Sequence, residues 1–305
     1  MQRIEFRAMG CRMLALLDSD SPLAVERLSQ VPVWFEEWER QLSRFREDSE
    51  LSRLNRRSGE ATRVSQVVYD VAEAAVRAAR DSDSLVVPNL LGALEAAGYD
   101  RSFENIDQAQ TVALPPPRGA DDWRAIGLDA PSRSISLPRG TRLDFGGIGK
   151  GWAADRAVHR LAKHGPALVN AGGDIALSGP QSDGKPWPIG VIDPLNRDEQ
   201  IAMLMIPRGA VATSGRDYRQ WQRGGASQHH ILDPRTGMPA VTDVLSATVV
   251  APTAREAEAA AKAAFILGSL AGLDWLDTRP TLAGLLALDD GQIIVSRRME
   301  EYLRS

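Results

Sequence analysis

The chain has 305 residues, 43% hydrophobic and 25% charged, enough to bury one large core or two coupled ones. Its 36 basic and 40 acidic residues leave a formal net charge of −4, and no long basic run gives the footprint of a nucleic-acid binder, so nucleic acid is not expected as a partner. One cysteine, Cys11, excludes an internal disulfide framework and any metal site made of several cysteines, and it fits a reducing compartment.

The first twenty residues set Arg3, Glu5, Arg7 and Arg12 among the apolar ones, which leaves no apolar stretch for a secretory signal. No segment approaches the ~20 apolar residues of a membrane span. With Met1 as the natural start and no lipidation cysteine, a cytoplasmic protein is expected. Ile4 to Leu17 reads as two extended runs broken at Met9-Gly10, after which Ser21-Pro22 offers a cap and a first-turn proline for a helix. Pro32 divides that helical region, and Trp34, Phe35, Trp38 and Leu42 continue it as an apolar stripe that belongs to a core. Ser49 can cap a short helix to Asn55, and Val68, Val71, Ala75 and Ala79 mark a further amphipathic helix.

Gln108 to Gly119, with Pro115, Pro116 and Pro117 in succession, is a connection that no helix or central strand crosses, and it is the expected internal boundary of an otherwise single unit spanning residues 1–305. From Trp123 onward short strands are expected at Ala125–Leu128, Ser134–Leu137, Ala167–Asn170, Ile189–Ile192, Ile201–Ile206 and Ala247–Val250. Helices are expected at about Gly149 to Lys163 and Ala254 to Leu267. Asp289-Asp290-Gly291 is a hairpin signal between Leu285–Leu288 and Ile293–Val295. Strands and helices do not alternate regularly, so the expected class is α+β, with an antiparallel-rich sheet and helices packed on it.

Leu143 to Gly151 runs out of a strand, through Gly146, Gly147 and Gly149, into a helix that begins with Lys150. Glycines let a backbone approach a phosphate, a helix N-terminus supplies N–H groups and positive potential, and a lysine adds charge. Taken alone, the segment reads equally as a strand-to-helix turn with a surface lysine. Asn170-Ala171-Gly172-Gly173-Asp174 is a tight turn, and His230 precedes a rigid Asp233-Pro234-Arg235-Thr236-Gly237 turn that suits a functional loop.

In this order the segments resemble the FAD:protein FMN transferase family over nearly the whole chain. Met9-Gly10 resembles its Met-Gly-Thr with Cys11 in place of threonine, Phe45 and Ser49-Glu50-Leu51-Ser52-Arg53-Leu54-Asn55 resemble an aromatic and Ser-Glu-x-Ser-x-x-Asn motif, and the later glycine and histidine segments follow. The resemblance implies cleavage of FAD at its pyrophosphate, transfer of FMN to a threonine of an acceptor protein, and release of AMP, with magnesium between pyrophosphate and protein. It implies FAD contacts at Met9, Phe45, Leu85, Val86, Val87, Asp144, Lys150 and Ser246, a base at His230, and metal contacts at Gly147 and Glu258. His229 has no counterpart and is read as structural. Two departures stand out. The family's metal-serving aspartate and threonine, four residues apart, align with Glu258 and Lys262, and an ammonium has no lone pair for a metal. The flavin-slot motif Phe-Asp-Pro-Thr matches Val86-Val87-Pro88-Asn89 only at proline. A non-catalytic FAD-binding protein and an FAD pyrophosphatase giving FMN and AMP are therefore the alternatives.

Overall fold

A computed structural model describes residues 1–107, 109–110 and 119–304; most of the expected Gln108–Gly119 connection, its three prolines included, lies outside the described residues. The chain divides into two units, one of residues 1–36, 150–217 and 242–305, the other of residues 37–149 and 218–241.

The first unit is built on an eight-stranded, wholly antiparallel sheet whose strands lie side by side in chain order: Gln2–Ala8, Cys11–Leu17, Ala167–Ala171, Asp174–Leu177, Gly209–Gly215, Val244–Ala251, Ala283–Leu288 and Ile293–Val295. Two of its turns matter for the site. Met9-Gly10 closes the first hairpin with positive φ at both residues, 49° and 67°, a geometry that matches strand twist but strains a methionine. Gly172-Gly173 closes another at 64° and 99°, the Asn170 side chain accepts the Gly173 N–H at 2.8 Å, and Asp174 is thereby set at the first position of its strand.

The two faces of this sheet are packed differently. Leu168, Ile175, Leu177, Val211, Val250 and Leu285 pack with Trp187, Ile189, Leu204 and Ile206 of the Trp187–Ile192 and Gln200–Ile206 hairpin. Strand periodicity turns Ala210 and Ala212 to the opposite face, where the Ala254–Leu267 helix lies on the strands Gly209–Gly215 and Val244–Ala251. Buried Ala257, Ala260, Ala261 and Ala264 let that helix come close, and Thr253 caps its start by accepting the Glu256 N–H. The start of this helix rests on the first half of the Gly149–Leu161 helix, where Asp155 accepts the N–H groups of Ala254 and Arg255 at 2.8 and 3.2 Å.

In the second unit the Glu50–Arg56 and Gln66–Asp81 helices are capped by Ser49 and Ser65, and Leu94, Tyr99, Ile106, Trp221 and Leu232 form one core cluster. Pro32 sits in the first turn of the Val31–Leu42 helix, where its missing N–H costs nothing. The α+β class and most expected elements appear at their places. The strand expected at Ala125–Leu128 begins later, at Gly127, because Asp122 accepts the Arg124 N–H and closes a helical turn over Trp123–Ala125. Among the described residues no helix is long and apolar enough to cross a membrane.

This helix contact depends on Gly151, where a Cβ would lie 2.6 Å from the Ala254 carbonyl oxygen and 2.8 Å from the Arg255 Cα. Those atoms are backbone and cannot swing away. Gly151→Ala is expected to cost roughly 1–3 kcal/mol of overpacking strain, read by urea unfolding; a wild-type midpoint would show that the two helices are not in register as described.

Candidate functional site

The residues singled out by sequence fall into two groups, one in each unit. In the first unit the Lys150 ammonium, in the opening turn of the Gly149–Leu161 helix, forms ion pairs with Asp174 and, at 3.2 Å, with Glu258 Oε1. Lys262 donates to the same Oε1 at 3.0 Å, one helical turn on, while Glu258 Oε2 accepts the Gly151 N–H at 2.9 Å. Two lysines and two carboxylates thus form one cluster. Its carboxylates are buried more deeply than its lysines: the Glu258 and Asp174 side chains are 0% and 2% exposed, those of Lys150 and Lys262 18% and 15%.

Burial alone would raise the Glu258 carboxyl, but the Lys150 and Lys262 ammoniums and the Gly151 N–H outweigh it and hold the group down at about 2. Asp174 goes the other way. Burial, reinforced by the negative charge of Glu258, pushes it up to about 6 against the pull of the two lysines. Burial likewise works against the Lys150 charge, yet Asp174 and Glu258 together raise it.

Ser246 and Met9 belong to the same unit. Ser246 is buried at 3% exposure on the Val244–Ala251 strand, and its enclosed hydroxyl has no hydrogen-bond partner among the described residues. Met9 is half-buried in its strained turn.

In the second unit Asp144 is held from both sides. Its Oδ1 accepts the Gly146 N–H at 2.8 Å, which shapes the glycine turn, and its Oδ2 pairs with Arg44 Nε at 2.8 Å. Arg44 was not singled out by sequence. Its guanidinium lies over both Phe45 and Tyr99, 4.2 and 4.7 Å from their ring centroids, and donates to the Tyr99 carbonyl at 2.7 Å. Phe45 itself is 42% exposed, an aromatic face backed by a cation. The Ser-Glu-x-Ser-x-x-Asn stretch is scaffold here: Ser49 caps its helix, Glu50 accepts the Ser65 N–H, and Asn55 exchanges two hydrogen bonds with the Leu143 backbone, next to Asp144. Leu85 and Val87 point into the core, whereas Val86 is half-exposed, in a loop bent by positive φ at Asp83 and Ser84. Gly147 is half-buried in the turn that precedes the lysine helix.

The two neighbouring histidines separate cleanly. His229 is buried, its Nδ1 accepts the Ile231 N–H at 3.3 Å, and its Nε2 lies 3.1 Å from the Ala240 carbonyl, so the ring is neutral with its proton on Nε2. Both its nitrogens are committed to backbone. His230 is half-exposed and stands just before the turn in which the Asp233 carbonyl accepts the Thr236 and Gly237 N–H groups at 3.1 and 2.8 Å. A cleft of about 670 Å³ near Arg80, Asp83, Trp123 and Arg124 contains none of the site residues named from sequence.

The sequence profile of the ApbE family matches residues 9–286. The FAD:protein FMN transferase of Treponema pallidum is 33% identical over 299 residues, covering 91% of this chain and 81% of the relative. The enzyme of the same name from Salmonella typhimurium is 27% identical over 279 residues, 88% of this chain and 79% of its own. Among solved structures, an ApbE protein from Thermotoga maritima superposes with a TM-score of 0.86 at 27% identity, covering 100% of this chain and 99% of that one.

The two carboxylates of the cluster carry opposite signs in acid. Glu258 titrates below its ordinary 4.5, so the stability it contributes is complete above about pH 4.5 and is lost as pH falls through about 2. Asp174 titrates above its ordinary 3.8, so its contribution is complete below that value and is lost as pH rises through about 6. Urea unfolding across this range should show an acid limb of roughly 3 kcal/mol from Glu258, and Asp174→Asn should remove the decline towards pH 6 while keeping that limb. An acid limb missing from the wild type would mean that Glu258 does not carry both lysines.

Proposed function

We propose, because the chain belongs to the ApbE family, that it binds FAD, breaks its pyrophosphate and moves FMN to a threonine hydroxyl of an acceptor protein, releasing AMP. The observation that carries the reading is Lys150: it stands in the first turn of a helix, directly after the Gly146-Gly147 turn, with its ammonium held by Asp174 and Glu258. A fixed ammonium suits a phosphate. The resemblance puts flavin contacts at Phe45 and Val86, and each of these side chains presents an exposed face, as a flavin ring requires. Asp144 enters as a positioning residue, since its oxygens hold Gly146 and Arg44. Cys11 as the one thiol suits a cytoplasmic setting.

In the transfer, the acceptor threonine Oγ attacks the phosphorus on the FMN side of the pyrophosphate. A new O–P bond forms, the bridging P–O bond breaks, and AMP leaves with the bridging oxygen. The hydroxyl proton goes to His230, because His229 has no nitrogen to spare.

The magnesium that the resemblance implies does not fit Glu258 and Lys262. Glu258 Oε1 already takes two ammoniums and Oε2 takes a backbone N–H. A divalent ion about 4 Å from a lysine would be repelled by roughly 8 kcal/mol at an effective dielectric of 20. No step is routed through a metal there.

Incubation with FAD and chromatography of AMP and FMN is the test. AMP with free FMN favours a pyrophosphatase, and bound FAD without AMP favours a non-catalytic binder. His230→Asn is expected to slow AMP release by about 100- to 10,000-fold with FAD affinity nearly unchanged. A fully active variant would send the proton elsewhere.

A further inference from the structure

We propose that Lys262, together with Lys150, does in this chain the charge-compensating work of a divalent ion, so that the FAD pyrophosphate is held by two ammoniums and its binding needs no metal. The inference rests on the FAD reading above and goes beyond it in assigning a role to Lys262. Three observations carry it. Both ammoniums sit on one oxygen of a fully buried carboxylate, which holds them close together in fixed positions. The lysine side chains keep 18% and 15% exposure where the two carboxylate side chains keep 2% and 0%, so the part of the cluster that solvent reaches belongs to the lysines. Lys262 has three donors and gives one to Glu258; the other two have no protein partner among the described residues.

A pyrophosphate arriving on the lysine side of the cluster meets the two Lys262 donors that Glu258 does not take. A divalent ion, by contrast, would need Glu258 oxygens that are already taken. Glu258 is thus the orienting group of the cluster. A lysine at this position compensates charge but does not polarise a phosphoryl oxygen as a Lewis acid does, so good binding goes with slow cleavage.

Flavin fluorescence titration of the full chain in EDTA and in excess magnesium tests this directly. The wild type is expected to give the same Kd in both buffers to within about twofold, and Lys262→Met to bind FAD about tenfold or more weakly in both. Lys262→Thr should lose affinity in EDTA and regain it with divalent metal, and manganese electron paramagnetic resonance should show an ion bound to that variant with FAD but none on the wild type with FAD. A wild type that loses about tenfold or more in EDTA, or a folded Lys262→Met that binds FAD as the wild type does, overturns the proposal. The wild-type comparison does not depend on any variant folding, and thermal melts check the variants. If the wild type binds no FAD in either buffer, the FAD reading fails first and takes this inference with it.

Discussion

One buried carboxylate ties the first unit together. Glu258 is fully enclosed, and an enclosed charge is tolerated only when it is paired and hydrogen-bonded on every side. It meets that condition by binding Lys262 on its own helix, Lys150 on another, and the Gly151 N–H at that second helix's start. Lys150 then reaches Asp174, which the Gly172-Gly173 turn has set at the head of a sheet strand. Two helices and the sheet therefore converge on a single oxygen pair. The bare glycine at 151 and the run of alanines from 257 to 264 are what this convergence demands, since the carboxylate can reach all its partners only if the backbones come close.

That arrangement explains why the function of the lysine was only half legible in the sequence. The glycine-rich turn into a helix bearing Lys150 could be read as a phosphate cradle from chemistry alone, and the Glu258–Lys262 spacing could be read as a pair on one helical face. What no local pattern could reveal was that both lysines share Glu258, because residues 150, 174 and 258 become neighbours only through the sheet. Arg44 escaped for the same reason. Its identity as the support of Asp144 depends on Tyr99 and on a turn one hundred residues away, and an arginine beside a phenylalanine gives no signal in sequence.

The fold followed a similar division. Helices with a sustained apolar period, such as Gln66–Asp81 and Ala254–Leu267, and hairpins with strong turn residues, such as Asp289-Asp290-Gly291, were legible because their signals are local. The strand Asp174–Leu177 was not, being four residues long and headed by a carboxylate that strand propensity disfavours. It exists because the sheet needs a neighbour between Ala167–Ala171 and Gly209–Gly215, and because Lys150 neutralises the acid at its head. In the motif from Ser49 to Asn55 the cap by Ser49 was legible, but the pairing of Asn55 with a distant backbone was not. The two-way bond to Leu143 makes the motif a brace for the segment that carries Asp144, which is irregular backbone and not the strand expected to lead into the glycine turn.

The histidine pair sets a structural residue beside the one proposed as the base. A neutral imidazole that accepts from one backbone N–H and donates to another carbonyl replaces two backbone hydrogen bonds at once, and His229 does this between Ile231 and Ala240. Ala240 N–H in turn bonds the Ile231 carbonyl, so the chain on either side of the Asp-Pro turn is closed into one ring of interactions. His230 lies inside that ring, its backbone fixed by the residues on both sides and its side chain partly open to solvent. A base must present a lone pair in a fixed direction while remaining able to take a proton, and these two needs conflict in a single buried ring. On the transferase reading the two needs fall to adjacent residues: the first histidine spends both nitrogens on rigidity, and the second, proposed as the base, stays partly open to solvent.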